Sequence, residues 1–301
     1  MMQRRNFIKN TILATGALSL PLSGNEIFAA NVFAASSVAN NFKKSIMWNT
    51  VNIQGSVLEK CKAVKEAGFQ GIEFMSHMDR KEVLDAVKAT GLTISSVCNS
   101  ARGNITHADP AQRQEAVEGV VVALEDVVAY GTNALLLVPG RVNETVSYDE
   151  CWDRSVECVK KLVPVAEKLK VMICIENVWN NFLLSPLEAC RYVDQFNSPF
   201  VKFYFDCGNI LMYGWPEQWI KILGERIARI HIKEFSKQIA DKQGRASGFR
   251  APLTEGDVDW PKVMEALRNS YKHEWLATEM GVRTLEDMKD LSGRLDKILS
   301  M

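Results

Sequence analysis

The sequence predicts an α/β protein: a single parallel (β/α)8 TIM barrel preceded by an export signal peptide. Three observations predict it. Apolar strand-like runs alternate eight times with helical runs, the turns between them are short, and a paired-arginine segment precedes the first strand. About 265 residues remain once that segment is set aside, a normal size for one α/β barrel.

The N-terminal segment comes first. Gln3-Arg4-Arg5-Asn6-Phe7-Ile8-Lys9 is a charged region with an arginine pair. A mildly apolar stretch from Ile12 to Leu22 follows, then small-residue cleavage candidates at Ala29-Ala30 and Ala34-Ala35. This layout is that of an export signal, and the arginine pair with Phe7 beyond it resembles the twin-arginine signal of bacteria. The apolar stretch is interrupted by Gly16, Ser19 and Pro21 and is shorter than the ~20 residues of a membrane span. Residues 1–35 are therefore assigned to the signal and 36–301 to the barrel, with an exported, periplasmic destination and no stable membrane span.

Each βα unit can be read in turn. Ser45–Val51 reads as a strand and Val57–Ala67 as a helix stopped by Gly68. Gly71–Met75 is the second strand, and Lys81–Thr90 its helix, ending at Gly91. Thr93–Cys98 is followed by a helix that Asp109-Pro110 opens and Gly131 closes. Ala134–Val138 leads to a helix from Ser147 to Lys170. Val171–Glu176 leads to a helix from Ser185-Pro186 to Phe196. Val201–Phe205 precedes the helix Pro216–Leu223. Ala228–Ile232 precedes a long polar connection, Phe235 to Asp257, read as a loop, and then the helix Asp259–Tyr271. Trp275–Thr278 and Thr284–Leu299 complete the eighth unit. A doubly wound sheet would want a Gly-rich phosphate turn after the first strand. That turn is Asn52-Ile53-Gln54-Gly55-Ser56, with one glycine.

Composition excludes some partners. Lys+Arg and Asp+Glu are 36 each, so no global basic field gathers a nucleic-acid backbone. The seven cysteines (61, 98, 151, 158, 174, 190 and 207) form no Cys-x-x-Cys pair, and several lie in apolar runs. They read as buried thiols rather than as a disulfide framework.

In a barrel of this kind chemistry sits at the C-terminal strand ends. Glu176, Asp206, His231 and Glu279 end the apolar runs of strands five, six, seven and eight. Neighbouring strands are ~4.8 Å apart, so these side chains can converge. Three carboxylates in one pocket repel each other unless a cation sits among them. Three oxygen donors with one imidazole suit Mn²⁺, Mg²⁺ or Co²⁺ and tolerate Zn²⁺ or Fe²⁺. Taken singly, each residue also has a plain structural reading, as a helix cap or a satisfied core histidine.

Five segments together, Ile175-Glu176-Asn177, Phe205-Asp206-Cys207-Gly208-Asn209, His231-Ile232-Lys233-Glu234, Glu255-Gly256-Asp257-Val258-Asp259-Trp260 and Thr278-Glu279-Met280, resemble the xylose isomerase-like barrel superfamily. Within it they are similar to the sugar isomerase/epimerase branch with hydroxypyruvate isomerase, the ketose 3-epimerases and inosose dehydratase. The resemblance runs from about Ser45 to the C-terminus. It implies one divalent metal on Glu176, Asp206, His231 and Glu279, with the two glutamates as an acid/base pair. Asn209 departs from the ketose 3-epimerases, where a histidine contacts substrate at that position.

The resemblance implies an isomerase or epimerase working beside a carbonyl through an enediolate, on a small carbohydrate. A lyase, or an epimerase of 3-keto-sugars or keto-glycosides, is the alternative within the same chemistry. A non-catalytic sugar-binding barrel is the alternative outside it. The superfamily's abasic-site endonucleases use many histidines, and this chain has four. Asn209, Lys233, His77, His107, Trp48, Trp179 and Arg250 are the further candidates for substrate contact. A homo-oligomer is compatible with the sequence.

Overall fold

The computed structural model describes residues 42–301. The paired arginines, the apolar stretch and the cleavage candidates lie outside the described residues. Eight parallel strands close into a barrel in chain order. They are β1 Lys43–Met47, β2 Gly71–Met75, β3 Thr93–Cys98, β4 Ala134–Leu137, β5 Met172–Glu176, β6 Val201–Asp206, β7 Ile227–Ile232 and β8 Trp275–Thr278. The ring closes where β8 pairs with β1, from Lys43↔Trp275 to Ile46↔Thr278. The first strand ends earlier than expected, at Met47, because Trp48–Thr50 turns as a 3-10 helix.

The helices are α1 Val57–Glu66, α2 Arg80–Thr90, α3 Pro110–Ala129, α4 Tyr148–Leu169, α5 Pro186–Asp194, α6 Pro216–Leu223, α7 Lys237–Gln243, α8 Trp260–Ser270 and α9 Leu285–Leu299. Their starts follow the local chemistry. Ser56 accepts the Glu59 N–H while the Glu59 carboxylate accepts from the Ser56 N–H. Thr284 and Asp287 repeat that box at α9. Pro110 and Pro186 occupy first-turn positions, where no amide proton is needed. Gly91, at φ 65°, takes the left-handed conformation that ends α2. None of the described helices is long and apolar enough to cross a membrane.

The core lies in two places. Ile72, Leu135, Ile173, Phe203 and Leu276 face the helices and pack on Val64, Leu124, Leu162, Ile220 and Leu295. A smaller cluster, Met47, Cys98, Leu136, Met172, Cys174 and Tyr204, fills the barrel itself. Both faces of the strands are covered, which is why they read as continuous apolar runs. All seven cysteines are free, and six of them are buried. Arg229 holds the barrel's lower end: its Nε donates to Ser95 O at 3.0 Å and its Nη2 to Asn133 Oδ1 at 2.7 Å.

The connection after β7 is not the irregular loop expected. It contains α7 and a 3-10 turn, Arg245–Arg250. Its anchor is Glu234, fully buried, whose carboxylate accepts from the N–H groups of Phe235, Thr254 and Val258 and from Trp260 Nε1, at 2.9–3.2 Å.

Candidate functional site

Strand geometry brings four polar side chains to one rim. Glu176 is the last residue of β5, Asp206 the last of β6, His231 the penultimate residue of β7, and Glu279 follows β8 directly. Asp206 and His231 are register partners. The Glu279 N–H continues the ladder by donating to Ile232 O at 3.1 Å. One ligand atom from each of the four residues lies within 4.8 Å of the others. His231 Nδ1 is 2.8 Å from Glu176 Oε1, 3.4 Å from Glu279 Oε2 and 4.0 Å from Asp206 Oδ2. Lys233 Nζ lies 2.8 Å from Glu279 Oε2 and 3.7 Å from Asp206 Oδ2. Gly208 permits that approach, since a Cβ there would meet Lys233 O at 2.8 Å.

Burial and charge act on these groups in opposite senses. Burial pushes the Glu176 carboxyl up, against the pull of His231. It drives Asp206 well above the usual carboxylate range, and Lys233 offsets only part of that. Burial opposes a charge on His231, yet Glu73 and Glu176 lift its pKa well above the ordinary value. For Glu279, burial is outweighed by His231 and Lys233, and its pKa falls to about 2.

A cation fits this set. Asp206 Oδ1 accepts the Asn209 N–H at 2.7 Å, whereas Asp206 Oδ2 is buried and makes no hydrogen bond. An orphaned carboxylate oxygen in the interior is costly, and it faces the other three donors. Three carboxylates and one imidazole form a donor set for a divalent ion that accepts oxygen ligands. Glu176, Asp206, His231 and Glu279 are the residues that would hold it.

Beside the cluster lies a cavity of about 540 Å³ that Glu176 and Glu279 both line. Its remaining wall comes mainly from the β1–β4 side: Met47, Asn49, Met75, Cys98, Arg102 and Arg141. Those residues were missed in the sequence, although Met47, Met75 and Cys98 end their strands just as the four ligand candidates end theirs. Glu73 was also missed as a functional residue. It sits inside β2 and reaches His231 Nε2 at 3.0 Å.

The secondary candidates fall in different places. Lys233 joins the cluster, with its ammonium 4.7 Å from the Phe249 ring centroid. Asn209 is 6% exposed, and its amide donates to Asn177 O at 2.9 Å, so it braces the Asp206 loop. Trp179 Nε1 donates to Asn209 O at 2.9 Å, and its ring packs on Phe249. Trp48 packs on Phe74 and does not line the cavity. His77 and His107 do not line it either: His77 Nδ1 bonds Ser76 Oγ at 2.8 Å, and His107 Nδ1 accepts the Asp109 N–H at 3.0 Å. Arg250 faces a separate cavity bordered by Met280 and Arg294. His77, His107 and Arg250 sit in connections beyond the strand ends, and Trp48, directly after β1, packs outward on Phe74 while its neighbour Met47 faces the barrel interior.

A closed (β/α)8 barrel whose last four strands bring Glu, Asp, His and Glu to one rim defines a class of barrels with a carboxylate–imidazole cluster able to hold a metal ion. The chain belongs to the xylose isomerase-like TIM barrel family, whose model matches residues 61–297. It is 24% identical over 246 residues to the L-ribulose-5-phosphate 3-epimerase UlaE of Escherichia coli O1:K1, covering 76% of this chain and 84% of that protein. Among solved structures, it resembles the E. coli 3-keto-D-glucoside 4-epimerase YcjR with a TM-score of 0.72 at 18% identity, over 86% of this chain and all of that one. It resembles D-psicose 3-epimerase of Clostridium cellulolyticum H10 with a TM-score of 0.71 at 18% identity, over 85% and 98% of the two chains. A family barrel from Mycobacterium smegmatis, solved in complex with magnesium, matches with a TM-score of 0.67 at 16% identity, over 87% and 98%.

Proposed function

We propose that the chain is a divalent-metal-dependent sugar epimerase or isomerase that moves a proton on the carbon next to a carbonyl. The observation that carries this is the four-residue cluster with its orphaned Asp206 oxygen, opening through Glu176 and Glu279 onto a cavity. The relatives' names support it. In a ribulose or psicose 3-epimerase, and in a 3-keto-glucoside 4-epimerase, the inverted carbon adjoins the carbonyl carbon.

A divalent cation held by Glu176, Asp206, His231 and Glu279 would supply polarisation of a substrate carbonyl and stabilisation of the negative charge on its oxygen. The chain's own residues move the protons. Glu176 and Glu279 both reach the cavity, so one carboxylate accepts the α-proton and the other returns a proton. Return to the opposite face of the same carbon inverts it, and return to the neighbouring carbon isomerises the sugar. Loss of a β-hydroxyl from the same intermediate is elimination. Lys233 holds Glu279 Oε2 in place at 2.8 Å. The asparagines position Asp206: Asn177 Oδ1 accepts the Asp206 N–H at 2.9 Å, and the Asn209 N–H fixes Oδ1.

The paired Arg4-Arg5 region supports export by the twin-arginine route to the periplasm, with folding and metal loading beforehand. That location favours unphosphorylated ketoses or keto-glycosides as substrates. The test is a screen of such compounds with Mn²⁺ in D₂O, read by NMR for deuterium at the carbon beside the carbonyl. Glu176→Gln and Glu279→Gln should each slow exchange by at least about 100-fold. Full exchange in both variants would sink the acid/base assignment.

A further inference from the structure

We propose that Glu73 decides which nitrogen of His231 faces the metal-binding cluster, by holding a proton on Nε2 so that Nδ1 presents its lone pair. The inference rests on the metal reading above and adds a positioning residue to it.

The two ring nitrogens of His231 look in opposite directions. Nδ1 is the atom within reach of Glu176, Asp206 and Glu279. Among the described residues, the hydrogen-bond partner of Nε2 is Glu73 Oε1, at 3.0 Å. Glu73 is fully buried, on a strand across the barrel from β7. Its other oxygen is saturated: Ser96 Oγ donates to Oε2 at 2.5 Å, and Tyr204 OH donates to the same atom. Each hydroxyl has a single proton, and both are directed at Oε2. As a carboxylate Glu73 only accepts, and with two hydroxyl protons already on Oε2, Oε1 is left to take the Nε2 proton.

The opposite tautomer fails on the same geometry. A bare Nε2 would set its lone pair against a carboxylate oxygen in the buried interior, while the Nδ1 proton would occupy the direction of the cluster. A neutral imidazole binds a metal through the nitrogen that carries no proton, and the bond made by the other nitrogen selects it. The Tyr204 ring also packs on the imidazole, with centroids 4.4 Å apart, which limits its rotation.

The barrel ladder carries a second, independent mark. Two strand pairings shift register, one between Ile72 and Glu73 and one between Phe203 and Tyr204. Each shift falls immediately before a member of this network. Such irregularities re-aim a side chain at a cost in ladder regularity. In both cases the extra residue is on the partner strand, Ser95 on β3 and Ala228 on β7, so the shifts set Ser96 opposite Glu73 and alter the aim of the strand that carries His231.

The test reads metal affinity and the tautomer, not turnover. Mn²⁺ binding is measured by calorimetry on the unmodified chain, on Glu73→Leu and on Glu73→Gln. Glu73→Leu removes the acceptor and should weaken binding about 10- to 100-fold. Glu73→Gln keeps an acceptor oxygen of the same reach and should recover most of that loss. Wild-type affinity in Glu73→Leu, or a Gln variant as weak as the Leu variant, overturns the assignment. Nitrogen NMR of the unmodified, Zn²⁺-loaded chain gives an answer even where a variant does not fold. It should show a protonated Nε2 and a coordinated Nδ1, and coordination through Nε2 refutes the proposal. If the unmodified chain binds no Mn²⁺, the metal reading falls as well. Equal binding by wild type and Glu73→Leu sinks the role of Glu73 alone.

Discussion

Replacing Asp206 by asparagine should change the sign of its effect on stability according to whether metal is present. Asp206 Oδ2 is buried without a hydrogen bond, and the nearest cationic groups are Lys233 Nζ at 3.7 Å and His231 Nδ1 at 4.0 Å. A buried polar atom left unsatisfied costs ~1–3 kcal/mol, and more when it is charged. Asparagine keeps the shape and the Oδ1 that accepts the Asn209 N–H. It also places an amide donor among the carboxylates of Glu176 and Glu279. Without metal, Asp206→Asn should therefore be more stable than the wild type by ~1–3 kcal/mol. Metal reverses the order. A ligand at a thousandfold excess over its Kd adds ~4 kcal/mol to the form that binds it, and the variant has lost one of its anionic ligands. For a domain of this size 1 kcal/mol shifts Tm by ~2–4 °C, so the two melting temperatures should cross. Scanning calorimetry in EDTA and in excess Mn²⁺ reads both. A variant less stable than wild type in EDTA, or one that Mn²⁺ stabilises as much as the wild type, refutes the reasoning.

Three other outcomes follow from groups outside the cluster. Burial, with Arg229 and Lys202 nearby, lowers the His273 pKa from 6.5 to about 4. Its folded pKa lies below its unfolded one, so the unfolded chain binds more protons in that window. Stability should be greatest above pH 6.5 and fall as the pH drops toward 4. His273→Gln should lose that part of the slope in urea titrations, and an unchanged slope counts against it. Glu234→Ala strands four donors, and should cost about 3 kcal/mol and open the segment between α7 and α8 to limited proteolysis. An unchanged urea midpoint would show that the loop holds itself. Burial raises the Cys61 and Cys174 thiols to about 12, whereas Cys190 is the one cysteine not fully buried. A disulfide reagent should titrate one thiol in the folded chain and all seven in denaturant. Rapid reaction of several thiols under native conditions would contradict the packing.

The barrel and its four rim residues were legible because both depend on local order. Each parallel strand is an apolar run, and its last polar residue falls on the same rim as that of every other strand. Glu73 was not legible in that way. It lies inside an apolar strand, and its partners Ser96, Tyr204 and His231 come from three other strands, 23, 131 and 158 positions away. Only closure of the ring brings them together. The helix α7 escaped because Lys237–Gln243 has just Ile239 and Ala240 as apolar residues, too few to mark a face. Its support is Glu234, which precedes the segment and reads as one more charge after a strand. Asn209 was a candidate contact because the ketose 3-epimerases place a substrate-contacting histidine there; its position three residues after Asp206 makes it the brace of that aspartate.

The bracing also locates selectivity. On the β5–β8 side the polar groups are committed to one another. Lys233 is paired with Glu279, Asn209 with Asn177 O, Trp179 Nε1 with Asn209 O, and Asn177 Nδ2 with Asp206 O. A substrate hydroxyl that bonded any of these would first displace an internal partner, and exchanging one hydrogen bond for another yields little net energy. The β1–β4 wall differs. Asn49, Arg102 and Arg141 are exposed there, and neither arginine forms an ion pair among the described residues. These groups can bond a sugar without breaking anything. Under the proposed function, the cluster would set the class of chemistry, and the loops after β1, β3 and β4 would set which sugar is accepted.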